Sequence, residues 1–184
     1  VDLLFREGCE LVIIACHTSS SKALRRIQQE YLPKNYPSRR VLGVVVPTVE
    51  KAVKLSRYHK LGVIGTIATI NSGVYKKELE KLRKDLEIFE QPCPLLVPLV
   101  EEGMLDRPET RMILKKYLRL LKVKEIDTLI LGCTHYPLLF KDISRIMGKN
   151  VKIVNPAEVA AEKLVEYLKR HSEIEKKLGM SSEK

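Results

Sequence analysis

Tryptophan is absent from this 184-residue chain and phenylalanine occurs only three times, so aromatics make up 5% of it. A nucleic-acid module that stacks bases on rows of aromatic side chains is therefore not expected. Apolar runs are short. The longest uninterrupted one covers residues 11–16, which excludes a membrane-spanning helix. Cys9, Cys16, Cys93 and Cys133 show no C-x-x-C spacing, which argues against a zinc ribbon or a thioredoxin-like pair. The first residues, Val1-Asp2-Leu3-Leu4-Phe5-Arg6, lack the basic, apolar and small-residue regions of a secretion signal, so a cytoplasmic location with reduced thiols is expected. No methionine opens the sequence, which starts on a helical pattern, and an upstream segment is expected to be missing.

Hydrophobic residues at 45% and charged residues at 30% suffice for one large or two small α/β domains. The net charge is +10. Basic residues gather in 22–40 and in 111–124, where the simplest reading is a solvated helix face. The tail after Leu178 is polar and is expected to fray.

Leu11-Val12-Ile13-Ile14-Ala15 is apolar at every position, the pattern of a parallel strand covered on both faces. Residues 41–46, 61–65, 128–132 and 151–154 repeat it, and 86–89 do so more weakly. Amphipathic helices are expected between them, over 75–86, 111–123 and 157–170. This alternation predicts a doubly wound α/β architecture, with sites beyond the carboxyl ends of strands.

One pattern recurs at long range. Ile13-Ile14-Ala15-Cys16-His17-Thr18 and Leu129-Ile130-Leu131-Gly132-Cys133-Thr134-His135 each run from an apolar strand through a small residue to a cysteine, then to Thr and His. The echo suggests two similar halves presenting thiols across a cleft. A cysteine between a strand and a helix N-terminus has a lowered pKa and serves as a base as well as a nucleophile. Two equivalent thiols suit inversion of a carbon centre, one removing a proton and the other delivering one to the opposite face. Other readings are buried structural cysteines, a metal site from Cys16, His17, Cys133 and His135, or a disulfide. Residues 65–72 follow a strand and open a helix, so their hydroxyls and N–H groups can hold a carboxylate or simply cap, with Asn71 or Ser72 as N-cap. His135 lies close enough to Cys133 to exchange a proton with it. Cys9 and Cys93 lie outside the echo and are assigned structural roles.

The string Leu131-Gly132-Cys133-Thr134-His135-Tyr136-Pro137-Leu138-Leu139 resembles the second-cysteine signature of the cofactor-independent glutamate racemases, within the aspartate/glutamate racemase superfamily. Ala15-Cys16-His17-Thr18 resembles their first-cysteine motif, and 62–70 and 93–101 match in order and spacing. The resemblance implies two doubly wound parallel-sheet domains facing a central cleft, the first incomplete: 1–47 with 150–184, and 48–149. It implies interconversion of L- and D-glutamate, supplying D-glutamate for peptidoglycan, with no cofactor and no metal. Cys16 would deprotonate the D-enantiomer and Cys133 the L-enantiomer, with His135 assisting. His17, Thr18, Thr66, Thr69, Glu101 and Thr134 would contact or border the substrate. Glutamate and a second copy in a homodimer are the expected partners; a membrane and nucleic acid are not. An aspartate or other amino-acid racemase and an inactive truncated binding protein are the alternatives. The family's Asp-Ser-Gly and Pro-Tyr-Gly motifs are absent here. His17 replaces the family's usual Asn, and its imidazole is expected beside Cys16, changing charge near neutral pH.

Overall fold

The computed structural model describes residues 1–178; the polar tail at 179–184 lies outside them. After α1 (Asp2–Arg6), strand β1 (Leu11–Ile14) leads into α2 (His17–Arg26), which continues through a π-helical turn to α3 (Leu32–Asn35). Then follow β2 (Arg40–Gly43), α4 (Val45–Leu55), β3 (Lys60–Gly65), α5 (Ile67–Asn71), α6 (Val74–Leu82) and β4 (Glu87–Pro92). The chain closes with α7 (Leu96–Glu101), α8 (Pro108–Val123), β5 (Thr128–Gly132), α9 (Phe140–Met147), β6 (Lys152–Val154), α10 (Pro156–Arg170) and α11 (Ser172–Glu175). No helix among the described residues is long and apolar enough to cross a membrane.

The strands form two parallel sheets, a two-stranded β1-β2 and a four-stranded β4-β3-β5-β6. In the larger sheet β3 and β5 are central and buried almost throughout, as their uninterrupted apolar runs predict. Leu61, Val63 and Ile130 face one core with Val45 and Val49 of α4 and Tyr75 and Leu79 of α6. Ile64, Leu129 and Leu131 face the other, with Leu114, Leu118 and Leu121 of α8 and Ile143 of α9. Helices thus cover both faces. A smaller core of Phe5, Val12, Leu24, Leu32 and Val41 serves the two-stranded sheet.

Three departures from the sequence pattern have local causes. Coverage of both faces does not extend to β1, where Val12 alone is buried and Ile13 is 41% exposed. The apolar run 41–46 is not all strand: β2 ends at Gly43, and Pro47 sits in the first turn of α4, where a missing N–H costs nothing. The helix expected over 75–86 starts after Gly73, whose positive φ of 63° breaks the chain away from α5, and ends at Leu82. Leu86 instead packs against the core of Leu61, Val63 and Ile130, just before β4.

The strand at 152–154 also shifts a boundary. The expected division gives residues 150–184 to the first domain, yet β6 pairs with β5, and α10 packs against α4. The larger sheet therefore reaches Val154. Asp127 helps to fix the central pair of strands. Its carboxylate accepts from Ser56 Oγ at 2.8 and 3.1 Å, from Arg57 N–H at 2.8 Å and from Tyr58 N–H, fastening the α4–β3 connection to the start of β5.

Candidate active site

Strand order reverses at β3, whose successor β4 lies on one side while β5 lies on the other. In parallel sheets, the crevice beyond the carboxyl ends at such a switch is where ligands bind. Gly65 and Gly132 are register partners at those two ends, so Thr66 and Cys133 emerge side by side. Gly132 is a steric requirement. A Cβ there would lie 2.6 Å from the carbonyl oxygen of Ile64 and 3.1 Å from Cε2 of Tyr75. Gly132→Ala is expected to push β5 away from β3 and to cost about 1–3 kcal/mol. A urea denaturation midpoint measures this, and an unchanged midpoint would show that the strands separate there without strain.

Cys16 is exposed at the N-cap of α2, beyond the end of β1. Burial acts to raise its pKa, but the backbone N–H and hydroxyl of Ser19, then those of Thr18, favour the thiolate and hold the thiol below its ordinary value. Cys133 is 7% exposed. Burial pushes its thiol up, the His135 N–H opposes this, and the charge of Cys16 adds to the rise. The two thiols are therefore near enough to sense each other, and Cys16 is the readier to ionise.

Around Cys133 the expected residues converge. His135 Nδ1 lies 3.7 Å from Cys133 Sγ and 3.5 Å from Thr134 Oγ1, while its Nε2 bonds the carboxylate of Glu101 at the end of α7. A carboxylate only accepts, so Nε2 carries the proton and Nδ1 offers its lone pair toward the thiol. A cysteine, an imidazole and an orienting carboxylate form a relay in that order.

A second cluster joins the two sheets. Thr18 Oγ1 lies 2.8 Å from Thr69 Oγ1 and 3.0 Å from Thr66 Oγ1, and Thr66 and Thr69 are 3.0 Å apart. Thr66, not Asn71 or Ser72, caps α5, accepting from Thr69 N–H at 3.2 Å. Thr69 is fully buried, so it holds Thr18 and Thr66, which remain partly open. Arg25 of α2 adds a 2.6 Å bond to Glu78 of α6, a further tie between α2 and the larger sheet's helices.

His17 departs from expectation. Its ring is 2% exposed, and burial alone holds its pKa down at about 4, so the imidazole is neutral near pH 7 and does not charge beside Cys16. It stacks on Tyr75 of α6. Periodicity places Tyr75 in an apolar stripe and gives no hint of this contact. Ser19 is also absent from the residues singled out by sequence; a hydroxyl three residues past a strand-end cysteine is the signal that marks it. Cys93, assigned a structural role, is fully buried, and its thiol is pushed up to about 12. A cavity of about 420 Å³ lies away from both thiols, beside Ile13, Leu24, Leu42 and Tyr167, where the smaller sheet is left uncovered.

The sequence profile described as Asp/Glu/hydantoin racemase matches residues 1–164. The chain is 45% identical to the glutamate racemase of Aquifex pyrophilus over 163 residues, covering 89% of this chain and 60% of that protein. A crystal structure of a glutamate racemase isoform from Bacillus anthracis superposes with a TM-score of 0.85 at 35% identity, covering 92% of this chain and 61% of that one. The Francisella tularensis glutamate racemase, solved in complex with D-glutamate, superposes with a TM-score of 0.84 at 32% identity, covering 98% and 63%. The chain thus spans about three fifths of the length of the relatives it matches.

Proposed function

Because the chain belongs to the Asp/Glu/hydantoin racemase family, we propose that its two-thiol site interconverts L- and D-glutamate by moving the α-proton between opposite faces. The observation that carries this reading is the placement of Cys16 and Cys133 just past the carboxyl ends of β1 and β5, one in each sheet, with unequal readiness to ionise. Cys16 as thiolate removes the α-proton of the D-enantiomer, and the Cys133 thiol returns a proton to the other face. In the reverse direction His135 Nδ1 takes up the Cys133 proton, and Glu101 steadies the imidazolium that forms. Thr18 and Thr66, with Thr134, supply hydroxyl donors to the substrate carboxylates, backed by Thr69.

The reaction needs neither pyridoxal phosphate nor a metal in this scheme, because the thiolate itself is the base. Its product is D-glutamate for peptidoglycan, made in the cytoplasm, by a homodimer. Chiral chromatography after incubation with either enantiomer tests the reading. Both are expected to converge on the racemate, with aspartate left unchanged. Conversion of aspartate instead would transfer the site to the other branch of the family, and conversion of neither would overturn the catalytic reading.

A further inference from the structure

Two buried rings lie between the elements that carry the thiols, and no step above uses them. His17 directly follows Cys16 and is 2% exposed, while Tyr75 of α6 is fully buried. Their rings face each other at 6.2 Å between centroids and 21° between planes. Tyr75 in turn lies against β5, where a Cβ on Gly132 would come within 3.1 Å of its Cε2. A continuous path of rigid groups thus runs from the Cys16 turn, through two rings, to the residue before Cys133. Neither His17 nitrogen and not the Tyr75 hydroxyl has a hydrogen-bond partner among the described residues. Packing, not polar bonding, places both rings.

We propose that His17 and Tyr75 are positioning residues whose stacked rings act as a spacer setting the separation of the Cys16 and Cys133 sulfurs, and that His17 neither carries a proton nor touches substrate. The inference rests on the two-thiol reading for its effect on rate; the spacing itself is measurable without turnover. The titratable groups facing the pair are Cys16, on the His17 turn, and Cys133, whose charge is felt at Tyr75. Inversion needs one sulfur on each face of the same carbon, and a misplacement of about 1 Å costs on the order of 100-fold. Rings supply that spacing without the rotamer freedom of an aliphatic chain. The nitrogens are dispensable on this view, and the ring is not.

The test compares His17→Phe, which keeps a ring and removes both nitrogens, with His17→Ala, which removes the ring, and with Tyr75→Phe, which removes only the hydroxyl. Dibromobimane, which fluoresces on bridging two thiols, is applied to the full chain, and peptide mapping assigns the bridge. The unsubstituted chain, His17→Phe and Tyr75→Phe are expected to bridge Cys16 to Cys133 at rates within twofold. His17→Ala should be at least tenfold slower, while iodoacetamide labels each thiol separately at an unchanged rate. In racemisation, His17→Phe should keep kcat within threefold, and His17→Ala should lower kcat at least tenfold with KM within twofold. Absence of the bridge in the unsubstituted chain, or equal bridging by His17→Ala, would overturn the spacer. So would loss of turnover in a folded His17→Phe, or an upward move in the pH midpoint of its Cys16 labelling, since either would give the nitrogens a chemical role. A chain that bridges as expected but does not racemise would remove the catalytic reading and leave the spacer standing.

Discussion

Cys16→Ser and Cys133→Ser are each expected to slow racemisation of glutamate at least 100-fold, the lower end of what a positioned acid or base contributes. The two variants should differ in which enantiomer still exchanges its α-hydrogen in deuterated buffer. With Cys16 replaced, the Cys133–His135–Glu101 relay remains. It can remove the α-proton of L-glutamate and return a deuteron to the same face, so L-glutamate loses its Cα–H signal without inverting. With Cys133 replaced, Cys16 does the same for D-glutamate alone. Proton NMR combined with chiral chromatography reads both effects. A single variant that washes out both enantiomers equally would mean that one base reaches both faces, and the two-thiol scheme would fall.

The second large effect concerns acid stability. Unfolded, His17 has an ordinary pKa of 6.5; folded, burial holds it at about 4. Between these values the unfolded chain binds the proton that the folded chain refuses. Stability is therefore complete above pH 6.5 and falls as the pH drops toward 4, by about 3 kcal/mol in all at about 1.4 kcal/mol per unit. Urea midpoints measured at pH 7 and pH 4.5 should separate accordingly, and His17→Phe should remove most of the difference. The comparison of variant with parent isolates this group from carboxylates such as Glu78, whose depressed pKa also withdraws stability in acid. Equal pH dependence in the two chains would show that water reaches the imidazole.

Much of this architecture is legible in the order of the amino acids. Runs such as 61–65 and 128–132 are apolar at nearly every position because helices cover both faces of the central strands. The strand-end cysteines and the Cys-Thr-His order place the relay, and Glu101 follows from the resemblance. What escapes is tertiary. The run at 11–15 reads like the central strands, but only one sheet neighbour flanks it and Ile13 stays exposed. The apolar side chains of 41–46 do not mark where strand gives way to helix; the signal is Pro47, just past the run, in the first turn of α4. His17 misleads because an imidazole beside a reactive cysteine reads as a group that charges near neutral pH, whereas its burial depends on packing against Tyr75, far away in sequence. Cap position is hidden for a related reason: the hydroxyl of Thr66 outranks Asn71 only because the chain turns immediately after β3.

The unequal thiols carry a consequence for how a racemase with this site handles its two ligands. Enantiomers have equal free energy, so at every pH kcat/KM must be identical in the two directions, whatever the protein does. The inequality between an easily ionised Cys16 and a reluctant Cys133 can emerge only in kcat and KM taken separately. Most singly deprotonated molecules hold the charge on Cys16, the form that receives the D-enantiomer; the L-enantiomer has to wait for the rarer form, which lowers its apparent affinity by that fraction. D-Glutamate should therefore saturate the enzyme at the lower concentration and turn over more slowly once it has done so. L-Glutamate should show a higher KM and a kcat higher by the same factor. Progress curves started from each enantiomer measure the pair of ratios. An accumulating pool of D-glutamate would then occupy the catalyst and restrain its own synthesis, a brake that needs no regulatory site.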